Sequence, residues 1–337
     1  MKIDMKNWMN EAVNAQKKKA IPVLSFPSIS LMDITVDELI NSADNQAKGM
    51  KMIADRVDSG AALSMMDLSL EAQAFGSDTK YVEGEVPTVI GELITTIEEA
   101  EALEIPEVGA GRTSIYLEGV DKASSLITDR PVLAGVIGPF SLAGRLVGVS
   151  EAMILCMEEP EMIEVVLEKA TKFLKNYILE YKNKTGANGV VMAEPLTGLL
   201  SPNLAADFSA PYVKEIIDAA QDDEFSVIYH NCGNYTVQQV DSIMGVGAAG
   251  YHFGNAINMI DMLEKVPSNI PIMGNIDPAS QFRNGTPEGI YKNTIDLMKE
   301  CCPKYNNFIV SSGCDIPPLS SWDNIDSFFK AVSDYYK

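Results

Sequence analysis

Short apolar runs recur along the chain, most followed by a stretch whose apolar residues fall three and four positions apart. An apolar run without alternation predicts a strand buried on both faces, and the three–four spacing predicts an amphipathic helix. Eight such runs occur, at residues 21–26, 61–66, 132–137, 189–193, 226–229, 248–251, 272–274 and 308–311. Helical spacing is clearest over 161–184, 203–220, 236–244, 287–300 and 322–332, and 33–51 reads as the helix after the first strand. At Gly285-Thr286-Pro287-Glu288, Thr286 is placed to cap a helix and Pro287 to occupy its first position. Eight β–α units predict an α/β protein whose parallel sheet closes into a (β/α)₈ TIM barrel, with an open doubly wound sheet as the competing arrangement. The amphipathic, charged residues 1–19 predict an N-terminal helical extension. Residues 81–89 read as a hairpin or loop insertion that lengthens the connection after the second strand. No Gly/Ser-rich or Pro-rich linker divides the chain, so one domain is expected over 1–337.

Composition narrows the function. Apolar residues make up 46% of the 337, enough for a sizeable core, and no run of 18 apolar residues occurs, so no membrane span is expected. The N-terminus lacks the apolar stretch of a secretory signal, which predicts a cytoplasmic protein. A net charge of −21 repels phosphate backbones and argues against nucleic acid as a partner. Neither G-x-G-x-x-G after a strand nor G-x-x-x-x-G-K-[ST] is present, so nucleotide chemistry has no support. The five cysteines, an odd number, do not read as a disulfide framework.

Chemistry in a barrel sits where the strands end. The predicted ends carry Asp67, Glu194, His230-Asn231-Cys232-Gly233-Asn234, His252, Asn275 with Asp277, and Ser312-Gly313-Cys314-Asp315. His230 and Cys232 are two apart, so in extended chain they face the same side. Cys314, from the loop after the eighth strand, lies across the barrel mouth and is placed to join them. A His/Cys/Cys set with one position open is the pattern of a catalytic zinc site; the same spacing also fits a buried histidine with two inert thiols. Two thiolates cancel the ion's charge and make it a poor activator of water, while a thiol substrate would bind as thiolate and keep its nucleophilicity. That combination points to alkyl transfer rather than hydrolysis. Asp67, Glu194 and His252 are candidate catalytic groups, and Asn234 and Asn275 candidate substrate ligands. Cys156 and the adjacent Cys301 and Cys302 read as packing residues.

At these residues the chain resembles the uroporphyrinogen decarboxylase superfamily, and within it the methylcobamide:coenzyme M methyltransferase branch. The resemblance rests on the block from Asp67 to Gly76, on Gly138-Pro139-Phe140-Ser141-Leu142-Ala143-Gly144, on His230-Asn231-Cys232-Gly233-Asn234, on Met273-Gly274-Asn275-Ile276-Asp277-Pro278, and on Ser312-Gly313-Cys314-Asp315-Ile316-Pro317-Pro318. It implies a barrel, Zn²⁺ on His230, Cys232 and Cys314, and methyl transfer between a corrinoid (methylcobalamin) and a thiol such as coenzyme M. The opposite direction, from a methyl donor to the corrinoid, would use the same site. The decarboxylase branch is the alternative. It places paired arginines after the first strand, where this chain reads Ser25-Phe26-Pro27-Ser28-Ile29-Ser30, and a histidine where Cys314 stands. Where the methyltransferases often carry an acidic residue near the end of the sixth strand, this chain has His252, a possible fourth ligand or substrate contact. No D-x-H-x-x-G corrinoid signature occurs, so the corrinoid is expected on a separate partner protein.

Overall fold

A computed structural model describes residues 2–337. Seven parallel strands form one curved sheet: β1 (Ala62–Leu63), β4 (Val132–Ile137), β5 (Gly189–Ala193), β6 (Ser226–Asn231), β7 (Gly250–Phe253), β8 (Ile272–Ile276) and β9 (Phe308–Ser312), in that spatial order. The short antiparallel pair β2 (Thr79–Lys80) and β3 (Thr88–Val89) forms the hairpin expected in the second connection, with its strands flanking the turn.

The eighth stave is the segment expected as the first strand, which runs between β9 and β1 without a regular ladder. Ile21 N–H donates to the Val310 carbonyl (3.2 Å), and Gly60 N–H donates to the Ala20 carbonyl (2.8 Å). Val23 N–H donates to Ser312 Oγ (3.0 Å). A side-chain acceptor at Ser312 therefore takes a position that a backbone carbonyl would fill in a regular ladder. The barrel thus closes through mixed bonds rather than through an eighth ladder.

The strands are the continuous apolar runs seen in the sequence, and β4, β5 and β6 are buried along their whole length. Several helices are shorter than the periodicity suggests, for local reasons. Where one helix was expected over 33–51, the chain forms three in succession, Ser28–Met32, Val36–Ile40 and Ala43–Arg56, the last two overlapping that range. Asp33 ends the first with φ 55°, Thr35 and Glu38 start the second with a reciprocal capping box, and Ser42 caps the third. The pattern over 203–220 breaks at Ser209 into Pro202–Phe208 and Ala210–Ala220, because Pro211 belongs in a first turn. Thr286 caps helix Pro287–Cys301, accepting from Gly289 N–H. Among the described residues, no single helix is long and apolar enough to cross a membrane.

Two separate cores result. The larger lies between sheet and helices. The smaller fills the barrel, with Leu63, Leu133, Val191, Ile228, Met273 and Ile309 pointing inward. The N-terminal helix Met5–Asn14 packs Met5 and Met9 into the same cluster, buries Val13 as well, and stoppers the barrel at its strand-start end. Asp4 caps that helix, and Met5 and Lys6 N–H both donate to the Asp223 carbonyl. Each buried stopper side chain contributes roughly 1.5–3 kcal/mol.

Candidate metal centre

Inward-facing positions alternate along each strand, so the parity that buries Ile228 and Ile309 also turns His230 and Ser311 inward, two residues further along. Cys232 follows at the same interval. His230 is in register with Ala193 on one side and His252 on the other. Both histidines lie inside their strands rather than just beyond them, because β6 and β7 each run two residues past the expected ends.

Among the described residues, His230, Cys232 and Cys314 bring three donor atoms within 4.8 Å of one another. Cys314 Sγ stands 3.5 Å from His230 Nε2. Tetrahedral Zn–N and Zn–S bonds would set that edge at roughly 3.5 Å, so the pair is already at ligand spacing. His230 is buried and both cysteines are half-buried. The Cys314 thiol donates towards Cys232 and lowers it below the ordinary thiol range, and the same bond together with burial pushes Cys314 up to about 12. A divalent ion does the same task better, since it replaces that proton and favours both thiolates. Cys156 and Cys301 behave differently. Burial, joined at Cys301 by the neighbouring Cys302 and Glu300, pushes them up, to about 11 and about 12, and they pack as core thiols.

A buried chain of hydrogen bonds sets the orientation of His230. The Ser311 hydroxyl donates to the Ile21 carbonyl (2.8 Å), so its oxygen accepts from His252 Nε2–H (2.7 Å). His252 Nδ1 is then bare and accepts from His230 Nδ1–H (2.7 Å). That assignment leaves the Nε2 lone pair of His230 facing Cys314, the tautomer a metal ligand needs. Burial, and the neighbouring His230 ring, hold His252 well below the usual imidazole range, so it stays neutral in this role. Both His252 nitrogens are committed, and the ring stands behind His230, with centroids 4.7 Å apart, rather than beside the sulfurs.

Glycines let the ligand loops approach. A Cβ on Gly233 would meet Gly198 Cα at 2.3 Å, and one on Gly254 would meet Cys232 Cβ at 2.4 Å. Asn231 folds the Cys232 turn, its Oδ1 accepting from Gly233 N–H (2.9 Å) and from the Thr236 hydroxyl (2.9 Å).

The other expected site residues are placed elsewhere. Asp67 lies in a closed buried network: Arg112 Nη1 (2.6 Å) and Tyr116 Oη (2.9 Å) donate to its Oδ2, and Ser69 donates to Oδ1 from its hydroxyl and N–H. Glu194 accepts from Phe140 N–H, Ser141 N–H and the Ser141 and Thr197 hydroxyls. It caps helix Pro139–Val147 from outside, and a Cβ at Gly138 would overlap its carboxylate at 2.5 Å or less. Burial raises Glu194 to about 7 against the pull of those bonds. Asn275 donates to the Gly254 and Ile257 carbonyls and pins the loop after β7. Asn234 is exposed on the loop beyond Cys232.

A small cavity of about 40 Å³ opens in front of the His/Cys/Cys cluster, walled by Val23, Met66, Leu68, Ala193 and Pro195. Asp315 completes it. Its Oδ1 is out of solvent and has no hydrogen-bond partner, and burial, with the adjacent Cys314, pushes the carboxyl above its usual range. Asp315, Ser311 and Arg112 were not among the candidate site residues of the sequence. Only the inward parity of β9 could have pointed to Ser311.

The chain is 25% identical over 273 residues to the methylcobamide:CoM methyltransferase MtbA of Methanosarcina acetivorans, covering 80% of this chain and 78% of the relative. It is 26% identical over 274 residues to a uroporphyrinogen decarboxylase of Prochlorococcus marinus, covering 79% and 75%. Among solved structures, a methyltransferase from Methanosarcina mazei superposes with a TM-score of 0.85 at 18% identity, over 99% of this chain and 100% of that one, which establishes the shared fold. The family profile described as uroporphyrinogen decarboxylase (URO-D) matches residues 21–335, and the chain belongs to that family.

Proposed function

We propose that this protein is a methyltransferase that moves a methyl group between a corrinoid, presented by a separate protein, and a small thiol, with a zinc ion held by His230, Cys232 and Cys314. The observation that carries the reading is the convergence of one imidazole and two thiols, at ligand spacing, onto an apolar cavity at the barrel mouth. A zinc ion bound there would favour the thiolate form of a substrate thiol at neutral pH.

The surrounding residues have positioning roles. His252 and Ser311 fix the His230 tautomer, and the apolar wall excludes the water that would solvate and weaken a thiolate nucleophile. Asp67 and Glu194 hold the walls of the site: one locks Arg112 and Tyr116, the other anchors the start of helix Pro139–Val147. In the reaction the carbon–cobalt bond breaks, its electron pair stays on cobalt, a sulfur–carbon bond forms, and the thiol proton leaves to solvent.

Relatives named as methyltransferases and as decarboxylases match at 25% and 26% identity, and the lining of the site supports the first reading. A substrate with several carboxylates calls for cations. The cavity wall contains no Lys or Arg, and the nearby Arg112 is committed to Asp67. The test is methyl transfer from methylcobalamin to thiols by the zinc-loaded protein. Cys232→Ala and Cys314→Ala should lose transfer by at least ~100-fold. Full transfer by chelated protein, or coproporphyrinogen formation in its place, would reject the reading.

A further inference from the structure

Four of the five arginines are matched by carboxylates. Arg56 pairs with Asp326, Arg112 with Asp67, Arg130 with Asp129 and Arg283 with Glu85. Arg145 is the exception. Among the described residues it has no ion pair, hydrogen bond or ring contact, in a chain that carries 47 acidic side chains. It is the half-buried residue of helix Pro139–Val147, whose other residues are all buried. Burial lowers its pKa with no carboxylate to raise it, yet a guanidinium keeps its charge. Its nitrogens keep contact with solvent, since none is among the buried polar atoms that lack a partner. A cation partly stripped of water and left unmatched costs free energy, and an anion that reaches it removes the cost. The helix carries this cation to the barrel mouth. It starts directly after β4, and Ser141 donates to Glu194, the residue before the cavity-lining Pro195. Arg145 is four residues on, so it shares the Ser141 face, about 6 Å further along the helix. The adjacent Gly144 packs on Leu196, where a Cβ would come within 2.4 Å of Leu196 Cδ1. Arg145 therefore stands beside the 194–196 wall and outside the cavity itself.

Resting on the proposed thiol reading, we infer that Arg145 is a specificity-determining residue, which receives an oxyanion at the far end of the substrate thiol, carried on a chain of roughly three carbons or more. The sulfur and first methylenes occupy the apolar cavity, and the tail follows the Pro195–Leu196 wall to the guanidinium, whose planar fork matches a sulfonate or carboxylate. A two-carbon tail, as in coenzyme M, keeps its anion among the apolar walls, short of the arginine. One free arginine suits a single anion and not the several carboxylates of a tetrapyrrole.

The test uses the full chain loaded with Co²⁺, whose thiolate charge-transfer absorption reports sulfur binding independently of turnover. It is titrated with 1-propanethiol, 3-mercaptopropanesulfonate, 2-mercaptoethanesulfonate and 3-aminopropanethiol. The three-carbon sulfonate should bind at least about tenfold more tightly than propanethiol, and more tightly than the two-carbon sulfonate, with the amine weakest. Arg145→Gln should erase the advantage of the sulfonate and leave the affinity for propanethiol unchanged, while Arg145→Lys should keep part of it. Arg145→Met should raise the urea midpoint of the ligand-free protein, since the cost of an unmatched cation disappears; an arginine that serves packing would lower it on replacement. Equal affinity for propanethiol and the three-carbon sulfonate, an unchanged ranking in Arg145→Gln, or a lowered midpoint in Arg145→Met would overturn the inference while leaving the thiolate reading intact. No new charge-transfer band with any of the four thiols would overturn that reading, and the inference with it.

Discussion

The two ends of the barrel differ in what fills them. At the strand-start end the cavity is large, about 350 Å³, and bounded by Trp8, Lys17, Lys18, Lys19 and Arg130 beside the stopper helix. At the strand-finish end the space is about 40 Å³, yet it collects one imidazole, two thiols and a carboxyl group, held by a buried hydrogen-bond chain and by touching glycines. Several cations of the larger cavity are already committed: Lys19 pairs with Asp58, and Arg130 pairs with Asp129 and the Val57 carbonyl. Size therefore does not mark the chemistry. The difference lies in what each end spends its packing on: the stopper end buries methionine and valine for stability, while the mouth orients donors.

That contrast can be broken or sharpened by mutation. The largest effect is expected for Asp67→Ala, which strands Arg112, a side chain only 7% exposed, without its carboxylate. Stability should fall by about 3–5 kcal/mol in urea denaturation, and the wall of the mouth should loosen with it. Met5→Ala, in the stopper, should cost about 2–5 kcal/mol and leave metal content untouched; loss of metal in that variant would abolish the separation of the two ends.

Glu71 supplies a pH test. Burial raises it to about 8; one oxygen accepts from Ile137 N–H (3.1 Å) and the other has no partner. A raised carboxyl is protonated in the fold but ionises in the unfolded chain at its ordinary value near 4.5. Its contribution is therefore complete below pH 4.5 and is lost as pH rises to about 8, by an amount on the order of a few kcal/mol. Denaturation midpoints of Glu71→Gln should depend less on pH across that window than those of the parent.

The smallest expected effect on folding, and the most selective on function, belongs to His252→Ala. Removing the acceptor of His230 Nδ1–H should weaken metal binding by about 10–100-fold, measured by competition with a chelator, while the unfolding transition moves little beyond the loss of ring packing. Unchanged metal affinity would show that the tautomer is set in some other way.

Much of this was legible in the chain. Apolar runs marked the strands, and the two-residue interval from His230 to Cys232 marked a shared face, because strand parity is a local property. The helix over 33–51 was misread because capping signals at Thr35, Glu38 and Ser42 outrank apolar spacing there. The first strand could be read as apolar, but its replacement of a ladder by Ser312 could not. The role of Asp67 was hidden for a different reason. Its partner Arg112 lies 45 residues away, in the long second connection, and no local pattern links the two. Ser311 acts only through its side-chain contacts with His252, two strands away in the sheet, and with the Ile21 carbonyl, which are likewise settled by tertiary structure.

The central claim is that His230, Cys232 and Cys314 bind one metal ion. X-ray absorption at the zinc edge, on purified protein of known zinc content, tests it most directly. One zinc per chain is predicted, with two sulfur neighbours and one imidazole nitrogen, the sulfur count falling to one in Cys314→Ala or the metal being lost altogether. A protein that takes up no zinc, or a zinc shell built of oxygen and nitrogen without sulfur, would contradict the account.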